Sequence, residues 1–117
     1  MAKIRVTDLR LRTIIGIYDW ERTNKQDIVV NIIIDFDASK AAESDDLKDT
    51  VDYKSMTKKI IQAVESSSFF LLEKLTDVVL NIVMENTLVD EALVRVDKPN
   101  ALRFSDSVSV ELSKKRS

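Results

Sequence analysis

The 117-residue chain contains no cysteine, no histidine, one glycine and one proline. Each scarcity removes a class of chemistry. Without cysteine there is no disulfide, thiol nucleophile or thiolate metal site. Without histidine the usual general base and the commonest metal ligand are both missing, which argues against a zinc enzyme. One glycine cannot build a P-loop or a GxGxxG dinucleotide loop. If the protein is an enzyme, its proton transfers must run through Lys, Tyr, Asp, Glu or water. The net charge is −2, so no basic excess points to nucleic acid. No apolar run approaches the roughly 20 residues that span a bilayer. The opening MAKIRVTDLR lacks the apolar stretch of a secretory signal, and a cytoplasmic protein is the expectation.

What remains is ordinary for one folded domain spanning residues 1–117, with 44% hydrophobic and 32% charged residues. Residues 3–17 alternate as a strand. Ile4 and Val6 share one parity and Leu9, Leu11, Ile15 and Ile17 the other, so a bulge is expected near Thr7–Asp8. Residues 18–27 look polar and turn-like. In 28–36, Ile28, Val30, Ile32, Ile34 and Phe36 line one strand face, while Val29 and Ile33 make the other face apolar too, as a subunit contact would require. An acidic connection, 37–52, precedes a helix over 53–66 with Met56, Ile60, Ala63 and Val64 inward and Asp52 as N-cap. A second helix, 70–86, carries Leu72, Leu75, Val79, Ile82 and Val83. Residues 91–98 and 106–114 alternate as strands. The order β-β-α-α-β-β predicts an α+β domain, two helices on one face of a four-stranded antiparallel sheet. So small a sheet must protect its edges, and oligomerisation is one solution.

Several residues invite chemistry, each with an ordinary alternative. Lys98 precedes the only proline, which disfavours the helical region and holds it extended. A lysine needs desolvation or a neighbouring cation to act as a base near neutrality; otherwise it is a solvated strand end. Glu73, near a helix start, could accept two parallel hydrogen bonds from a 2-amino-4-oxo heterocycle, or simply sit on the surface beside Lys74. Tyr53 offers a ring for stacking and a hydroxyl for proton transfer, or closes a loop. Glu21 lies in the polar YDWER stretch as a turn acid. Arg10 and Arg12 project together from their strand, opposite Leu9 and Leu11, towards phosphate, solvent or carboxylates.

The stretches LRLRTIIGI, KQDIVVNI, VDYKSMTKKIIQAVE, FFLLEKLTDVVL and VDKPNALRFSDSVSVEL together resemble the dihydroneopterin aldolase family. LRLRT, TKKIIQAVE and ALRFSDSVS lean to its dihydroneopterin triphosphate 2′-epimerase branch, whereas GIYDWER and KPNA lean to the aldolase. The resemblance implies a tunnelling fold (T-fold) whose subunits form four-membered rings stacked into an octamer, with pterin sites between subunits and no metal or organic cofactor. It implies that Glu73, with the backbone at Leu72, anchors the pterin. Lys98 would be the catalytic lysine, Tyr53 would act across the interface, and Glu21 would stand by the hydroxylated side chain. The expected reaction is inversion at C2′ by retro-aldol and aldol steps. Aldol cleavage to glycolaldehyde and 6-hydroxymethyl-7,8-dihydropterin for folate synthesis is the rival outcome, and a non-catalytic pterin-binding ring the rival from another class. A triphosphate would call for cations, with Arg10, Arg12, Arg103 and Lys25 as candidates.

Overall fold

A computed structural model describes residues 1–117. Five strands form one sheet: β1 (Ala2–Ile15), β2 (Gln26–Phe36), β3 (Ser68–Phe69), β4 (Val89–Pro99) and β5 (Ser107–Lys115), in the order β3-β1-β2-β4-β5. All pairings are antiparallel except β1 with β3. Four helices accompany them: α1 (Asp19–Thr23), α2 (Ser39–Ser44), α3 (Tyr53–Glu65) and α4 (Leu72–Met84), with a 3-10 turn at Leu47–Asp49. The long elements run strand-strand-helix-helix-strand-strand, the α+β order expected.

The β1 phase slip is a bulge. Pairing steps from Val6 opposite Ile32 to Leu9 opposite Val30, so β1 spends three residues where β2 spends two. Asp8 takes φ +54° there, and its N–H donates to Asn31 Oδ1 at 2.9 Å. Asp52 caps α3, its carboxylate accepting from the Ser55 N–H at 3.1 Å.

The packing explains the helices. Met56, Ile60 and Val64 of α3 and Leu75, Val79, Leu80 and Val83 of α4 are buried against the even-numbered row of β2 and Ala92, Val94 and Val96 of β4. Buried Thr13 extends the core without leaving a polar atom unpaired: its hydroxyl meets the Val64 carbonyl oxygen at 2.7 Å. The opposite face carries no helix, and there Val29 and Ile33 are half-buried, Ile33 opposite Leu93 of β4.

Four local expectations change. The first strand ends at Ile15 rather than 17, because Gly16 turns the chain at φ +131°. The polar 18–27 segment contains α1 rather than only a turn. A fifth strand, β3, joins the sheet beside Ile14 and Ile15. The second long helix starts at Leu72, not 70, because the chain between β3 and α4 is extended at Leu71.

Candidate active site

The site grows out of the end of the core. Ala92, Val94 and Val96 of β4 are fully buried, and the period of two places Lys98 next on that face. The β2 row, Ile28 to Phe36, likewise continues backwards to Gln26. The hydrophobic layer therefore ends in Lys98 and Gln26. Helix α1 closes that end with Glu21, its one buried residue.

These three side chains interlock. Lys98 Nζ donates to Glu21 Oε2 at 2.5 Å, with side chains only 15% and 7% exposed. Gln26 Nε2 donates to the same oxygen at 3.0 Å and to the Ile15 carbonyl at 2.7 Å. The Tyr18 N–H donates to Glu21 Oε1 at 3.3 Å. Burial pushes the Glu21 carboxyl up, but the bonds from Lys98, Gln26 and Tyr18, with the Lys98 charge, outweigh it and hold it at about 2. Glu21 is thus a carboxylate at neutral pH and a weak base.

The single glycine belongs to this arrangement. A Cβ on Gly16 would collide with the carboxyl carbon and both oxygens of Glu21, and φ +131° independently disfavours an L side chain. Gly16 and Gln26 were not legible as site residues from local motifs. The signals were a lone glycine at a strand end and a glutamine in phase with Ile28, Val30 and Ile32.

Lys98 is extended, as the following proline requires, and lies inside the ladder opposite Val108. Beyond Pro99, Asn100 adopts φ +61° and its N–H donates to the Asp106 carbonyl at 3.1 Å, which turns the chain towards β5. A cleft of about 500 Å³ opens over Lys98 and Glu21, lined also by Arg12, Lys25, Trp20 and Asn100. Arg12 pairs with Asp27 at 3.1 Å and donates to the Lys25 carbonyl at 3.2 Å.

The other expected residues lie elsewhere in the protomer. Arg10 lines a groove on the helix-free face with Asp8, Arg95 and Asp97. Arg103 lies in the exposed β4–β5 loop, its guanidinium 5.3 Å from the Phe104 ring centroid. Tyr53, first in α3, is half exposed. Glu73 is exposed in the first turn of α4, and Leu72 packs against the core. Neither Tyr53 nor Glu73 lines the Lys98 cleft. The N-cap of α4, Leu71, supplies no side-chain acceptor, so first-turn N–H groups stay open beside the Glu73 carboxylate.

A buried lysine–carboxylate pair opening into a ligand-sized cleft, on a sheet backed by two helices, is a frame for acid–base chemistry on a small molecule. Residues 4–113 match the family model for dihydroneopterin aldolase (FolB), and the chain belongs to that family. It is 50% identical over 113 residues to a dihydroneopterin triphosphate 2′-epimerase of Pseudomonas aeruginosa, covering 97% of this chain and 92% of that one. It is 51% identical over 115 residues to the enzyme of that name in Escherichia coli, covering 98% and 96%. The crystal structure of E. coli dihydroneopterin aldolase in complex with neopterin superposes with a TM-score of 0.92 at 29% identity, covering 97% of this chain and 99% of that one.

Proposed function

We propose that this protein is a dihydroneopterin triphosphate 2′-epimerase that inverts C2′ of the dihydropterin side chain to the monapterin configuration. The observation that carries the reading is the buried Lys98–Glu21 pair at the mouth of the cleft. Identity of 50% and 51% to two proteins named as epimerases, against 29% to the aldolase of known structure, favours inversion over cleavage.

The chemistry needs no external electron sink, because the C=N bond of the dihydropterin serves. Removal of the 2′-hydroxyl proton lets C1′–C2′ break, giving an enol-type pterin and an aldehyde. Re-addition to the other face of the aldehyde inverts C2′. Loss of the aldehyde and protonation at C1′ gives aldol cleavage. Lys98 is the base or proton shuttle: as the neutral amine it would offer its lone pair to the 2′-hydroxyl proton while an N–H stays on Glu21. Glu21, already engaged by Lys98, Gln26 and the Tyr18 amide, orients Lys98 rather than taking the proton. Glu73 and the open N–H groups at Leu72 present an acceptor and donors to the pterin edge. Arg12 and Lys25 share the cleft with Lys98 and are the proposed phosphate contacts.

A single protomer leaves this site incomplete, because Tyr53 does not reach the cleft of its own chain. β3 covers only Ile14 and Ile15 of β1, and β5 is an outer strand, so both sheet edges offer unpaired backbone groups. Joining the β5 edge of one subunit to the β1 edge of the next is a head-to-tail contact, the kind from which closed rings are built when its rotation closes. In such a tetrameric ring, stacked into an octamer, a neighbour supplies Tyr53 to each Lys98 cleft.

The test is product analysis. Purified protein is given dihydroneopterin and its triphosphate, and the products are resolved by chiral chromatography after oxidation and dephosphorylation. Fast inversion of the triphosphate is expected. Dominant glycolaldehyde release from the unphosphorylated compound would make the protein an aldolase instead, and binding without turnover of either would make it a pterin-binding ring.

A further inference from the structure

Arg22 follows Glu21 in α1 and its guanidinium is held in an unusual way. Nη1 donates to the Gly16 carbonyl at 3.0 Å and the Phe69 carbonyl at 3.1 Å, and Nη2 donates to the Ser68 carbonyl at 2.6 Å. The guanidinium carbon lies 3.9 Å from the centroid of the Phe70 ring. No carboxylate pairs with it. Arg22 itself sits in α1, and its partners belong to two other pieces of chain: the glycine packed against the Glu21 carboxylate, and the segment that runs from β3 into α4.

Those pieces carry the two halves of the proposed site. α1 and Gly16 place Glu21, which holds Lys98. Ser68, Phe69 and Phe70 lead directly to Leu72 and Glu73 at the start of α4. Apart from Arg22, the polar links between them are the short parallel β1–β3 pairing, the bond from the Gly16 N–H to the Phe69 carbonyl at 3.2 Å and that from the Thr13 hydroxyl to the Ser67 carbonyl at 3.1 Å, beside the packing of α4 on β4. A planar fork that bonds several carbonyls while stacking on a ring is chemistry available to arginine and not to lysine.

We propose that Arg22 is a positioning residue for the C2′ reaction, fixing the Glu21–Lys98 pair relative to the N-terminus of α4. The proposal rests on the functional reading above. The pterin ring would be held at Glu73 and the side chain worked on at Lys98, so their separation decides whether the hydroxyl meets the base. It also decides whether the aldehyde stays aligned long enough to re-add. Misplacement of reacting groups by about 1 Å costs up to roughly 100-fold in rate.

A built-in control exists at the other end of β4. Arg116 also binds three backbone carbonyls, those of Val89 at 2.9 Å, Met84 at 2.6 Å and Asn86 at 3.2 Å. Its anchor at Val89 is nine strand residues from Lys98, about 30 Å.

The experiment compares Arg22→Met, the milder Arg22→Lys and Arg116→Met with the wild type. It measures kcat, the Kd of unreactive oxidised neopterin, the ratio of inverted product to released aldehyde, and amide hydrogen exchange. Both Arg22 variants are expected to lose roughly 10- to 100-fold in kcat, hold Kd within about threefold, and shift the products towards released aldehyde. Arg116→Met should do none of these, even where it is as destabilised. Unchanged kcat and product ratio in Arg22→Lys, or losses equal in Arg22→Met and Arg116→Met, would overturn the proposal. If the wild type turns over neither pterin, the functional reading fails by itself and amide exchange judges the clamp. Faster exchange over residues 16–22 and 68–73 in Arg22→Met then supports it, and unchanged exchange overturns it.

Discussion

At the scale of the residue, the candidate site begins where one alternating row stops being hydrophobic. Lys98 follows Val96 into the core face, and its charge is matched there by a carboxylate that three hydrogen bonds keep ionised. Lys98→Ala should lower turnover by about 10²–10⁴-fold while pterin affinity changes little, as titration with neopterin would measure. Glu21 has a folded pKa of about 2, below its ordinary 4.5. Its interactions therefore stabilise the fold above the ordinary value and fade as pH falls towards 2. The urea midpoint of Glu21→Gln should lie below that of the wild type by a constant amount above about pH 5, and the gap should narrow in acid. A gap independent of pH would mean that Glu21 titrates normally. Gly16→Ala forces a Cβ into the Glu21 carboxyl at a left-handed φ. It should cost about 1–3 kcal/mol in denaturant unfolding and reduce turnover as well.

At the scale of the element, helix α3 is set by its cap and its stripe. Asp52→Ala should cost about 1 kcal/mol, read from the urea midpoint. Both helices, the bulge and four strands were legible because each rests on a local period: Met56, Ile60 and Val64 at helical spacing, Ile28 to Phe36 at strand spacing, a parity slip at Thr7–Asp8. What escaped has tertiary causes. α1 is a helix of five residues whose Glu21 is buried by Lys98 and Gln26, and nothing local marks YDWER as more than polar. β3 is two residues long and forms only where Ile14 and Ile15 offer an edge. The site showed the same division. Lys98, Glu21, Tyr53 and Glu73 were candidates on local grounds, each with an ordinary alternative, and took roles only through the resemblance of whole stretches; Gln26 and Gly16 needed the packed structure to acquire one.

At the scale of the molecule, the single chain is extended. It measures 52 × 25 × 24 Å with a radius of gyration of 15.5 Å, where a compact chain of this length would have about 13 Å. Exposed Tyr18, Trp20, Phe70 and Leu71 are large apolar surfaces near the site and its approach to α4. A ring of subunits would cover such surface and pair the open strand edges. The proposed sharing of the site between chains has a direct consequence. Lys98→Ala and Tyr53→Ala variants, each inactive alone, should regain activity when unfolded together and refolded. Random mixing should restore on the order of one quarter of wild-type turnover, because half the clefts keep Lys98 and half of those meet an intact neighbour. No recovery would place both groups in one chain's site.

The central claim is that the Lys98–Glu21 pair inverts C2′ by breaking and remaking C1′–C2′. Its most direct test is the NMR time course of dihydroneopterin triphosphate with the protein in deuterated water. Inversion should outrun aldehyde release, the hydrogen on C2′ should remain protium, and Lys98→Ala should abolish the change. Deuterium at C2′, or aldehyde accumulating without inversion, would contradict it.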